Sequence, residues 1–123
     1  MPAYAAPQAY RESAVLTASS QELVVMLYDG ACRFLRQGAV AMRSGDIATA
    51  NARMQRAEAI IDHLLATLDH EQGGEVADRL SALYLFFRRH LNTARIQRQP
   101  EEVERVASML GELRSAWAQV SRA

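Results

Sequence analysis

Apolar residues in this chain recur in steps of three and four along separate stretches, and that spacing leaves few folds open. Ile47, Ala50, Met54, Ala57, Ile61, Leu64 and Leu68 form one series. Val76, Leu80, Leu83, Phe87, Leu91 and Ala94 form a second, and Val103, Val106, Leu110, Leu113, Trp117 and Val120 a third. Each is the seam of a helix that packs lengthwise against others. A further stretch, Leu23 to Met42, carries more than a seam. At about 100° per residue, Leu23, Ala41, Phe34, Leu27, Gly38, Ala31, Val24, Met42, Leu35, Tyr28, Ala39 and Cys32 cover nearly half the circumference without a charge. A surface helix buries a stripe of roughly 100° or a little more. Val25, Met26 and Val40 fall outside even that wide arc. Apolar surface is therefore left over once a bundle closes, and such surface suits a protein partner.

Local signals place the boundaries. Ser19 with Glu22 reads as a capping box, in which each side chain satisfies a backbone N–H that a helix start leaves unpaired. Gly45 suits the left-handed position after the first helix, and Asp46 can cap the second. Gly73-Gly74 ends that helix, and Pro100 with Glu101 and Glu102 opens the fourth. The predicted helices run over about 20–44, 47–71, 75–98 and 100–121, preceded by a flexible segment, 1–18, that carries Tyr10, Val15 and Leu16. Short connections force each helix antiparallel to the last. The expected fold is all-α, an up-down-up-down four-helix bundle with an N-terminal cap. Segment charges agree: 19–45 has three arginines and two acids, 46–72 two and five, 73–99 five and two, and 100–123 three and four. Alternating signs favour sequential neighbours, although exposed pairs contribute little each.

Chemistry is sparse. A length of 123 residues fits one domain. Arginine or an acid interrupts every apolar run, so no membrane insertion is expected. No basic segment followed by an apolar stretch opens the sequence, and a cytoplasmic protein is expected. Fourteen basic residues, all arginine, balance 14 acidic ones, which argues against a nucleic-acid partner. Cys32, the single cysteine, reads as a small buried hydrophobe. His63 and His70 lie about 10 Å apart on a helix, too far to share one ion, and no Glu-x-x-His occurs. His90 borders the seam of the third helix, Val76 to Ala94, and reads as a hydrogen-bonded packing residue. Arg88, Arg89, Arg95 and Arg98 read as a solvated face. No metal, cofactor or catalytic constellation is expected, and the chain does not read as an enzyme. Ala82, Leu85, Phe86 and Ile96 stand off the seam of the third helix near Arg89, adding exposed apolar groups.

The stretch Val15-Leu16-Thr17-Ala18-Ser19-Ser20-Gln21-Glu22-Leu23-Val24-Val25-Met26-Leu27-Tyr28-Asp29-Gly30-Ala31 resembles the flagellar secretion chaperone FliS family. So do Gly73-Gly74-Glu75-Val76-Ala77, Leu83-Tyr84 and Glu112-Leu113-Arg114-Ser115-Ala116-Trp117, and Tyr10 sits where that family has a characteristic tyrosine. The resemblance runs from Tyr10 to the end, in the family's order and spacing. Ser20 departs from it, replacing the usual proline of the first turn. Leu85-Phe86-Phe87 departs too, standing where the family often has a more polar, tyrosine-containing segment. The resemblance implies a cytoplasmic bundle that binds the disordered C-terminal segment of flagellin, prevents premature polymerisation and delivers it to the export gate protein. It also implies that the segment with Tyr10 and Leu16 folds over an apolar pocket and yields to the client. Together with the surplus apolar surface, it nominates Tyr10, Val15, Leu16, Leu23, Met26, Leu27, Ile60, Leu85, Phe86 and Arg89 as partner-contacting residues. A monomer is expected; the alternative is a structural bundle whose surplus face meets a second copy.

Overall fold

The computed structural model describes residues 18–122, with side chains from 21 to 119. Among the described residues the elements are α1 (Ala18–Arg43), α2 (Ile47–Ala66), α3 (His70–Gln97) and α4 (Pro100–Arg122), with no strand. They form the expected bundle. α1 packs against α2 and α4, α3 packs against the same two, and the diagonal pairs make no close backbone approach. Cross-helix contacts run antiparallel: Asp29 meets Arg114 while Arg43 meets Glu104, and Gly30 lies by Ile60 while Gly38 lies by Met54.

The packing is uneven for a reason legible in side-chain size. α1 approaches its neighbours closely, and small residues are buried on all three helices: Ala31, Gly38, Ala39 and Ala41 on α1, Ala50 and Ala57 on α2, and Ala107 on α4. A Cβ on Gly38 would sit 3.0 Å from Met54 Cγ, so the α1–α2 contact has no slack. α3 stands further from α2 and α4, and fills the gap with Tyr84, Phe87 and Leu91. Core residues such as Leu35, Met54, Ile61, Phe87, Leu91, Val103, Val106 and Leu110 are sealed from solvent.

The ends differ from expectation in three places. α1 is already helical at Ala18, so Ser19 stands inside the helix rather than at its cap. α2 stops at Ala66, not near 71: Thr67 caps it, its N–H reaching the His63 and Leu65 carbonyls. Asp69 then starts α3, its carboxylate accepting the Gln72 N–H at 3.1 Å. Gly73-Gly74 is therefore a kink within α3 rather than the stop of α2, with Gly74 at φ 51°, ψ −124°. The other caps hold. Gly45 has φ 80°, and the Asp46 and Gly45 N–H groups close onto Ala41 and Met42 in the paired pattern of a left-handed cap.

Candidate functional site

The N-terminal end of α1, the C-terminal end of α2, the start of α3 and the C-terminal part of α4 meet around an open groove of about 640 Å³. Its apolar lining comes from all four: Val24 from α1, Leu64 from α2, Val76 and Leu80 from α3, Trp117 from α4, with Leu68 from the α2–α3 turn. Val76 explains what kind of space this is. It shares the seam of Leu80, Phe87 and Leu91, so its side chain points where the core should be, yet it is 65% exposed. The register is that of the core, and among the described residues no side chain closes over it. Two of the polar rim groups are already used: the Asp69 carboxylate caps α3, and the Thr67 hydroxyl donates to the His63 carbonyl at 3.0 Å. Gly73 keeps the wall close, because a Cβ there would fall 2.8 Å from the Ala77 Cβ.

The floor is a hydrogen-bonded chain of aromatics. Trp117 Nε1 donates to the Tyr28 hydroxyl at 3.2 Å, and the Tyr28 hydroxyl bonds that of Tyr84. Tyr28 and Tyr84 face each other at 6.5 Å between centroids and so bridge the α1–α3 diagonal. Burial pushes both phenols above their ordinary value, most strongly Tyr84. The site thus offers a largely apolar receptacle, whose one lining carboxylate, Asp69, is engaged in capping α3. Among the described residues no cluster of three or more His, Cys, Asp or Glu could hold a metal ion.

The nominated residues fall elsewhere. Tyr10, Val15 and Leu16 lie outside the described residues. None of the other seven lines the groove. Leu23, Leu27 and Ile60 sit on the α1–α2 side; Leu23 is exposed, Leu27 packs on the core, and Ile60 Cδ1 comes within 3.3 Å of the Cβ position of Gly30. Met26 points outward, 65% exposed. Leu85, Phe86 and Arg89 are exposed on the outer side of α3, across the diagonal from α1. The set is therefore two surfaces, not one. Two signals in the sequence marked the groove: the Ile47 series runs on to Leu68 past the end of α2, and the Val76 series opens at Val76, just after the kink at Gly74.

Other residues correct or refine their expected roles. Arg88 and Arg95 are not simply solvated, since both reach the buried Glu58 of α2, and Arg88 also holds Asp62 at 2.7 Å. His90 does pack and bond, with Nε2 2.7 Å from Glu102 and its ring stacked on Phe86 at 5.3 Å. Cys32 is half-buried rather than sealed; its thiol donates to the Ala107 carbonyl at 3.3 Å, and burial pushes its pKa up.

The sequence was compared with known proteins. A family model described as "Flagellar protein FliS" matches residues 3–123. The flagellar secretion chaperone FliS of Salmonella typhimurium is 38% identical over 111 residues, 89% of this chain and 82% of that one. That of Campylobacter jejuni is 36% identical over 112 residues, 91% and 88% of the two chains. That of Bacillus subtilis is 32% identical over 111 residues, 90% and 82%. With a helical bundle, an apolar groove and matches of this extent in one place, the chain belongs to the FliS family of flagellar secretion chaperones.

Proposed function

We propose that this chain is a non-enzymatic export chaperone of the bacterial cytoplasm. It binds the disordered C-terminal segment of flagellin, holds it back from polymerising and hands it to the export gate protein. The observation that carries this reading is the groove at the bundle end, where Val76 occupies a core register yet is 65% exposed among the described residues. An amphipathic helix of an otherwise disordered client fills such a space with its apolar face. Leu23 and Met26 on one side of the bundle, and Leu85, Phe86 and Arg89 on the other, then give a long client further footholds as it wraps. Ordering that client consumes several kcal/mol of the contact energy, roughly 2–5 or more, which makes a large wrapped area necessary.

The N-terminal segment fits the same scheme. Ala18 lies at the groove end of α1, and the preceding residues can reach about 55 Å if extended. Tyr10, Val15 and Leu16 are the groups in that segment suited to cover the groove when no client is bound. Such a cover lowers apparent affinity by the fraction of time it is closed.

Calorimetric titration of the full chain with a flagellin C-terminal peptide tests the reading. Binding with a negative heat-capacity change is expected, weakened about tenfold or more by Val76→Glu, a substitution at an exposed position. No binding at tens of micromolar peptide, or a tight homodimer that ignores the peptide in sedimentation, rejects it.

A further inference from the structure

A second surface, towards the C-terminal end of α1, carries charge. Arg33 and Arg36 of α1 and Arg53 and Arg56 of α2 are all exposed around the groove between these helices. Among the described residues no carboxylate lies within ion-pair distance of any of them. Elsewhere the chain treats arginine differently: Arg43, Arg79, Arg88, Arg95, Arg105 and Arg114 each hold an acid. Arg89 and Arg98 also lack one, but they stand apart on α3.

The four cations are arranged around apolar surface. The guanidinium groups of Arg33 and Arg56 lie 5.7 and 5.8 Å from the centroid of Phe34, so two positive charges share one half-buried ring. Arg36 and Arg53 flank an open trough of about 510 Å³ with Val40, itself 64% exposed. The acids nearby are committed. Asp46, at the end of the trough, caps α2 through the Thr49 N–H at 3.2 Å, and Glu104, whose field reaches Arg36, is held by both terminal nitrogens of Arg43. Four like charges with no carboxylate in ion-pair contact, and with the nearest acids held elsewhere, make a positive potential that an external anion relieves.

We propose that this face docks an acidic segment of a second protein, an extended run of Asp and Glu with apolar residues between them. Guanidinium forks match carboxylates in two-bond geometry, and Val40 and the Phe34 edge receive the apolar side chains. From Phe34 to Ser44 the face is about 15 Å long, the span of roughly five extended residues. A single-stranded nucleic acid fits less well, because stacking its bases needs a free aromatic face and Phe34 is already covered by two cations. A membrane fits less well too, since the apolar part is a trough rather than a ridge. The chain's own first 17 residues carry one acid, Glu12, beside Arg11, and do not complement four arginines. Val24 of the client groove and Arg36 are twelve residues apart on α1, about 18 Å, so this inference does not rest on the flagellin reading.

Fluorescence anisotropy with a labelled peptide of repeated Asp-Glu-Leu triplets tests the assignment on the full chain. Binding is expected that weakens about tenfold from low to physiological salt, and by at least about tenfold in Arg33→Gln/Arg36→Gln/Arg53→Gln/Arg56→Gln. The control Arg79→Gln/Arg105→Gln should keep it. Should the fourfold variant fail to fold, Arg53→Glu/Arg56→Glu is read in its place. Unchanged binding in the patch variant, or equal binding of an Asn-Gln-Leu repeat, overturns the proposal. Tighter binding of a single-stranded oligonucleotide or of phosphatidylglycerol vesicles at equal salt overturns the choice of a protein partner. Self-association that the patch variant abolishes, without peptide binding, gives the face to a second copy and also overturns it. The flagellin peptide should bind the patch variant as it binds the parent; loss there would make the two surfaces one site.

Discussion

The hydroxyl of Tyr28 has two partners, Trp117 Nε1 and the hydroxyl of Tyr84, whereas that of Tyr84 has one. Removing an atom that serves two groups orphans both, and a buried orphan is costly. Tyr28→Phe should therefore destabilise by about 2 kcal/mol and Tyr84→Phe by about 1 kcal/mol. Urea unfolding followed by Trp117 fluorescence measures both, and equal losses would mean that the indole finds another acceptor. The burial of Tyr28 was legible from its place within the uncharged α1 arc. Its bond across the diagonal was not, because spacing gives the face a residue occupies and not what stands opposite. Val76 shows the same limit from the other side: its register was readable, while its exposure depends on where α1 and α4 stand around it.

At the scale of the helices, the seams located all the elements, and the errors sit at ends. The heptad of α2 runs through Leu68, and so hides the signals that stop it two residues earlier. Those signals were nonetheless present: Thr67, and Asp69 followed three residues later by Gln72, a pattern that starts helices. The far end of α3 is closed by a residue poorly suited to the job. Arg98 has φ 55°, ψ 62°, and the N–H groups of Arg98 and Gln99 return to the Arg95 and Ala94 carbonyls as in the glycine cap at Gly45. A side chain in that region is strained by roughly 1 kcal/mol, and glycine is not. Arg98→Gly should raise stability by about 0.5–1 kcal/mol, a gain of roughly 2–4 °C in thermal midpoint. A lower midpoint would show that Arg98 makes contacts outweighing its backbone cost.

Across the whole molecule, zero net charge conceals an ordered pattern, in which cross-helix pairs join α1 to α4, α2 to α3 and α3 to α4. The alternating segment charges anticipated these neighbours. They did not anticipate the α1–α2 face, where two helices of opposite net charge meet through unpaired arginines, because a segment's total says nothing of which side carries it. The Arg43–Glu104 pair gives this pattern a measurable pH dependence. Arg43 holds the Glu104 carboxyl below its ordinary value of 4.5, and the same contact raises Arg43. A carboxyl whose folded pKa is depressed contributes stability that is complete above the unfolded value and lost as pH falls through the folded one. The difference in urea midpoint between the parent and Glu104→Gln should accordingly stay constant above pH 4.5 and close towards zero below it. Phenols shift the other way. Tyr28 and Tyr84 are raised from 10.0, so their contribution is complete below pH 10.0 and declines above it. Tyr84→Phe, with one phenol fewer to ionise, should lose less stability than the parent between neutral pH and pH 11, roughly one unit past the unfolded value. Parallel alkaline curves for the two proteins would show that the buried tyrosine pair does not set the upper limit of the fold.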